Sequence, residues 1–220
     1  MGNYRQSRNY ENLQRAIFAG VGEFGIPDIA PVHLAGEPLF IGFNYARSCE
    51  EPEQHGIHFF VDDYQFVRLW QRPDAYLQML RKFQCVCTPD FSTYTDFPKA
   101  VQIFNHYRKH WLGAYWQLHG ITVIPTISWS DESSFDWCFD GEPVGGVTAV
   151  SSVGTQMSKT ASELFRKGYS EMMRRLQPEL VIFYGAVPDG LETGNILHVQ
   201  AFQNRLHQLS KQREAQSNGR

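Results

Sequence analysis

Aspartates stand at three places where a chain of this pattern could use them. In FFVDDYQF (59–66) an apolar, aromatic run leads into Asp62 and Asp63 and then resumes. TPDFSTY (88–94) sets Asp90 behind Pro89, and SWSDE (128–132) sets Asp131 behind Trp129. Gathered within a few ångströms, Asp62, Asp90 and Asp131 would repel unless they shared protons or held a hard cation such as Mg²⁺ or Mn²⁺. Water on such a cation could hydrolyse a phosphoester. Two of the carboxylates could instead act as acid and base on a glycosidic bond, with Trp129, Tyr64 or Tyr94 stacking the sugar. SSVGT (151–155) adds Ser152 and Gly154, a turn able to present backbone N–H groups to an anion at a helix N-terminus. Arg108 falls on an apolar helix face, where it is either an anion clamp or the salt-bridge partner of Asp90 or Asp62. The competing reading is that Asp and Ser at such turns cap helices. It fits Asp63 and Asp131 best, since helical pattern begins soon after each.

These residues need elements to place them. Short apolar runs recur at 39–43, 57–61, 84–88, 121–128, 146–152 and 180–185, with a further candidate at 196–200. Segments of helical period lie between them. Pro73-Asp74 opens one helix. Asp96 and Pro98 open the next, whose apolar face runs Val101, Phe104, Trp111, Tyr115, Leu118. Ser158 or Thr160 caps a third, with Glu163 placed for a capping box with Thr160, and Pro178 ends it. Strands apolar on both faces that alternate with helices predict an α/β fold with a largely parallel sheet and helices outside. A small or incomplete TIM-like barrel is favoured over an open doubly wound sheet. No G-x-G-x-x-G follows an early strand and no P-loop occurs, so no nucleotide-cofactor motif is present. In either architecture function sits beyond the carboxyl ends of the strands, which is where Asp62, Asp63, Asp90, Asp131 and the 151–155 turn fall.

The bulk properties bound the rest. The 220 residues suit a single α/β domain over 1–204, followed by a basic tail, 205–220, that reads as frayed. Net charge is −3, so no global positive field points to nucleic acid. The 14% of aromatic residues reads either as a core of large side chains or as a ring-lined cleft. Four cysteines lack metal-ligand spacing, and the pair Cys85 and Cys87 is too close for a disulfide, so reduced thiols are expected. No apolar run is long enough to span a membrane, and a cytoplasmic location is the expectation. His58 reads as a core or sheet-face histidine. G-x-S-x-G is absent, which argues against a nucleophilic triad.

Several stretches together carry a resemblance: FFVDDYQFVRLWQRPDAYLQML, the run from TPDFSTYTDFPKA through ITVIPTISWSDESSFDWCFDG, SSVGT, and PELVIFYG. In these, over about residues 10–190, the chain resembles a bacterial and phage protein family of unknown function, found in phages, prophages and mobile elements. The resemblance implies a mobile-element setting and favours a phosphate-bearing substrate. It transfers no catalytic residue. The functional expectation is a metal-assisted hydrolase or transferase acting on a nucleotide or nucleic-acid phosphate. In it Asp62, Asp90 and Asp131 hold Mg²⁺ or Mn²⁺, Arg108, Ser152 and Gly154 hold phosphate, and Trp129 or Tyr94 stacks a ring. The alternative is a non-catalytic accessory protein that grips a host protein or nucleic acid.

Overall fold

The computed structural model describes residues 10–201. Seven of its nine strands form two parallel sheets. The first holds β3 (Leu39–Gly42), β4 (His55–His58), β5 (Cys85–Cys87) and β6 (Val123–Ile124); the second holds β7 (Val147–Ser151), β8 (Leu180–Tyr184) and β9 (Ile196–Val199). Every pairing within them is parallel and joins strands that are consecutive in the chain. A single parallel bridge, Thr126 to Ala149, sets β6 beside β7. Hydrogen bonds from Ile127 N–H to the Ala149 carbonyl (2.8 Å) and from Ala149 N–H to the Pro125 carbonyl (2.8 Å) complete this seam. Pro125 has no N–H to give, which explains why β6 stops at two residues. A doubly wound sheet reverses its strand order at a switch point; no reversal occurs among the described strands.

Strands stand at the six predicted runs and at the further candidate 196–200, trimmed by a residue or more except at 57–61, where the strand is displaced to His55–His58; strands covered on both faces write themselves as continuous apolar runs. β7 is buried over its first four residues and β8 over its last four. The N-terminal hairpin, β1 (Gly20–Val21) with β2 (Ile26–Pro27), was not expected. Strands of two residues carry no readable period.

Four helices connect the strands: α1 (Arg68–Gln71), α2 (Asp74–Leu80), α3 (Lys99–Leu118) and α4 (Lys159–Leu176). Ser158 caps α4 by accepting from Ala161 N–H, and Gln177 ends it in the left-handed conformation. Glu163 pairs with Lys159 and completes no capping box. At α3 the predicted apolar face is only half right. Trp111 and Tyr115 are buried, but Val101, Phe104 and Leu118 are exposed, and Gln102, Asn105, His106, Lys109 and His110 are buried. Asp96 does not cap the helix, whose N-cap is Pro98. The reason is that α3 is covered on two sides. The sheet lies against one, while the other carries the N-terminal segment, joined by Trp111 Nε1–H to the Ala16 carbonyl (3.1 Å) and by a reciprocal pair between Gln117 and the Ala30 backbone. Residues 109–116 are buried without a break, so no single stripe describes them.

Trp129, expected to stack a ligand, instead lies on α4. Its ring is 5.6 Å from that of Phe165, and a Cβ at Gly168 would come within 2.1 Å of it. Alanine in place of a helical glycine normally gains about 1 kcal/mol. Here Gly168→Ala is expected to lose about 1–3 kcal/mol through overpacking, read by urea denaturation. A stabilised variant would mean that Trp129 does not rest on this glycine.

Candidate functional site

A pocket of about 1290 Å³ opens at the carboxyl ends of the strands. β3, β4, β7 and β8 contribute to its wall, as do the segments that follow β4, β5, β7, β8 and β9. Of the residues singled out from sequence, Asp62, Asp90, Tyr94, Ser152 and Gly154 line it, together with Asp63 and His58. Asp131, Trp129 and Arg108 do not.

Each of these three is engaged elsewhere. Asp131 Oδ1 accepts from Ser133 N–H (2.9 Å) and Ser133 Oγ–H (2.7 Å), capping the short 3-10 helix Glu132–Asp136. Those bonds hold its carboxyl below the usual value. Arg108 makes no salt bridge among the described residues. Its guanidinium lies 3.7 Å from the centre of the Phe91 ring and its Nε is buried without an acceptor. It does not line the pocket, and among the described residues it bonds neither Asp90 nor Asp62. The 152–155 turn is not a helix N-terminus either, since α4 starts at Lys159. The turn's own amides are largely spent: Ser152 N–H donates to Tyr184, Val153 N–H to Ser151 Oγ, and Thr155 N–H to Ser152.

Inside the pocket the carboxylates differ. Asp62 precedes the 3-10 turn Asp63–Gln65, makes no capping bond with its side chain and is exposed. Asp63 accepts from Ser92 N–H (3.1 Å) and Ser92 Oγ–H (2.9 Å), tying the segment after β4 to the segment after β5. Asp63 was read as a helix cap; it is a bond between loops. Asp90 receives no hydrogen bond from a described residue. Burial raises its carboxyl to about 7; Lys109 draws it down and the charge on Asp63 pushes it up. Helix α3 holds the loop that follows Asp90: Gln102 donates to the carbonyls of Tyr94 (3.1 Å) and Phe97 (2.8 Å), and Asn105 to that of Ser92 (2.6 Å).

One wall is made of rings. Phe60 stacks on Tyr184 at 4.8 Å, and His58 lies 4.6 Å from Tyr184. Phe60 N–H donates to His58 Nδ1 (3.3 Å), which places the ring proton on Nε2. Burial lowers His58 to about 4, so it is neutral near pH 7. No lysine or arginine is among the described residues that line the pocket.

A family model described as a domain of unknown function, DUF4417, matches residues 18–203. The chain belongs to the DUF4417 family. Two curated relatives are phage proteins. The "Gene 1 protein" of Mycobacterium phage L5 is 41% identical over 174 residues, which cover 78% of this chain and 75% of that protein. The "Gene 1 protein" of Mycobacterium phage D29 is 40% identical over 173 residues, covering 78% of this chain and 64% of that protein. No solved structure matches. The expected phage family is therefore the right one.

The DUF4417 chain also holds a polar cluster away from the pocket wall, which the sequence reading passed over. Lys109 Nζ donates to Glu142 Oε1 (2.7 Å) and to the Thr126 carbonyl (2.8 Å), and His110 Nε2 lies 2.9 Å from the same Glu142 oxygen. The side chains of Lys109, His110 and Glu142 are at most 2% exposed. Burial pushes His106 well below the ordinary histidine value, while Lys109 and His110 together hold Glu142 down against its own desolvation. Breaking such a buried pair by removing one partner costs about 3–5 kcal/mol. The H-x-x-x-H spacing of His106 and His110 was visible, but neither histidine belonged to the apolar face read from the sequence. The four cysteines are free, and burial raises Cys85 and Cys138 to about 12 and Cys87 well above the ordinary thiol value, so these three are poor nucleophiles. No described helix is long and apolar enough to cross a membrane. The basic tail at 205–220 lies outside the described residues.

The raised Asp90 gives a pH signature. A carboxyl whose native value lies above its unfolded value adds stability that is complete below about pH 4 and is lost as pH rises through about 7. Asn at this position cannot ionise. The stability of Asp90→Asn relative to the parent should therefore climb between about pH 4 and pH 7, by at most about 4 kcal/mol and by less where water reaches the carboxyl. Urea denaturation of both chains across that range measures it. A difference that stays flat would mean Asp90 ionises like a solvated aspartate.

Proposed function

We propose that the pocket binds a ring-bearing, phosphate-carrying substrate as its Mg²⁺ or Mn²⁺ complex, and that the protein is a phage hydrolase or transferase acting on that phosphate. The observation that carries the reading is Asp90: a carboxyl with a raised value, beside Asp63, at the strand carboxyl ends in a ring-walled pocket. Such a group is suited to give a proton to a leaving oxygen near neutral pH. With three carboxylates and no lysine or arginine among the described lining residues, a phosphate needs a cation to enter. Mg²⁺ commonly takes one or two carboxylates and completes its shell with substrate phosphate and water. In this reading Asp62 and Asp63 supply the carboxylates, Asp131 has no part, and Phe60 with Tyr184 stacks the ring. The reading also takes the seven strands as an incomplete TIM-like barrel. Support for that comes from ring contact between β4 and β8 at His58 and Tyr184, and from β3 and the residues around the end of β9 lining one pocket.

A second reading, a non-catalytic accessory protein for a host protein or nucleic acid, draws on the pocket's rim. Tyr64 (76% exposed), Tyr94 (63%) and Tyr45 (44%) stand there in the open, and exposed aromatics of this kind anchor interfaces.

Saturation-transfer NMR with ATP and with adenosine separates the two. ATP should bind only with millimolar Mg²⁺, and Asp62→Asn with Asp63→Asn should remove that dependence. Phe60→Leu should weaken ATP about tenfold or more, the worth of one lost base stack. Equal ATP binding in EDTA, or no binding under either condition, would overturn the enzymatic reading; in the second case, loss of partner capture in Tyr64→Ala and Tyr94→Ala would support the accessory role.

A further inference from the structure

We infer that His106, His110 and Glu142 form a buried Zn²⁺ site that joins α3 to the turn at 139–142. It is separate from the proposed pocket cation and does not depend on it.

Three observations carry this. First, one ligand atom from each residue lies within 4.8 Å of the other two, and among the described residues this is the one such group of three. Ligands about 2.0–2.2 Å from a tetrahedral zinc stand about 3.4 Å apart, so small side-chain adjustments bring all three onto one ion.

Second, each histidine has one ring nitrogen fixed by a backbone carbonyl: His106 Nε2 by Asp140 (3.0 Å) and His110 Nδ1 by Pro27 (2.9 Å). A carbonyl accepts, so each of those nitrogens carries the proton. His106 Nδ1 and His110 Nε2 are then the atoms left for a metal. Metal-ligating histidines are oriented by this same outer bond. In the described geometry both nitrogens of His110 face acceptors, Pro27 and Glu142. Coordination at Nε2 satisfies the ring with a single proton.

Third, Glu142 Oε2 is fully buried and has no partner, while Oε1 is taken by Lys109. Oε2 is a free carboxylate lone pair in a place water does not reach. The preceding Gly141, at φ +75°, lets the backbone pass so close that a Cβ would sit 2.5 Å from the Pro27 carbonyl and 2.8 Å from His110 Nδ1. The turn is thus pressed against the histidines. Two imidazoles and a carboxylate suit zinc better than Mg²⁺, which prefers an all-oxygen shell. All three ligands are buried, which shuts the ion away from the surface.

The test uses the full chain without a polyhistidine tag, stripped with EDTA and dialysed. On reloading and gel filtration it should retain one zinc per chain, and its melting temperature should rise by several degrees. Co²⁺ should give the intense visible bands of a low-coordinate site. The double variant Asp62→Asn, Asp90→Asn should keep all of this, which separates the site from the pocket. His106→Gln and Glu142→Gln should lose the zinc. Should those variants fail to fold, the Co²⁺ spectrum of the parent decides: weak six-coordinate bands would overturn the site. So would a parent that retains no zinc, or a folded His106→Gln that retains it undiminished.

Discussion

The organisation of this chain depends on one buried ion pair, Lys109 with Glu142. Charges with 2% or less of their surface in water persist only when neutralised and hydrogen-bonded. The bonds that achieve this reach a long way. Lys109 ties α3 to the Thr126 carbonyl beyond β6. Thr126 in turn exchanges two bonds with Thr88, its N–H to Thr88 Oγ1 (2.8 Å) and its Oγ1–H to the Thr88 carbonyl (2.7 Å). Thr88 stands two residues before Asp90. The position of the candidate acid is thus referred back, through two threonines, to a lysine on a helix and a glutamate in a turn.

The same lysine acts on Asp90 without touching it. Its field opposes the desolvation that raises the carboxyl, while Asp63 reinforces it. Asp63 is itself held by Ser92, and Ser92 by Asn105 of α3. Helix α3 therefore sets both the location of the two carboxylates and part of their electrostatics, although it lines none of the pocket. This is why its buried side is polar. Gln102, Asn105, His106, Lys109 and His110 each bond a backbone carbonyl or a carboxylate on another segment.

What could be read from the chain divides along physical lines. Strand existence was legible because burial on both faces produces runs such as LVIFY and CVC that no turn interrupts. The rim of candidate residues followed from parallel topology, and Asp62, Asp90, Tyr94, Ser152 and Gly154 do meet in one pocket. Asp131 was misplaced because a strand-end aspartate that caps and one that faces a cleft look alike in one dimension; Ser133, two residues on, was the clue to the cap. Trp129 and Arg108 went astray because an apolar neighbour, Gly168 or Phe91, claims each from far along the chain or across a loop. The His106–His110–Glu142 cluster was missed because α3 is sandwiched, and reading it as a helix with one wet face discards the very residues that are deepest.

The join between the two sheets bears on how the molecule is made and how it yields. Each strand lies beside the one synthesised before it, so a chain leaving the ribosome can complete the first four-stranded layer before the second has emerged. The backbone ladder of the second layer then joins that of the first at one place, around Thr126 and Ala149, where proline keeps it to a single rung. The pairs on either side have more rungs, two for β5 with β6 and five for β7 with β8. A break at that rung would separate the two backbone ladders and divide the ring wall between His58 and Tyr184, while the apolar core that Val147, Ala149 and Ile182 share with the first sheet resists it.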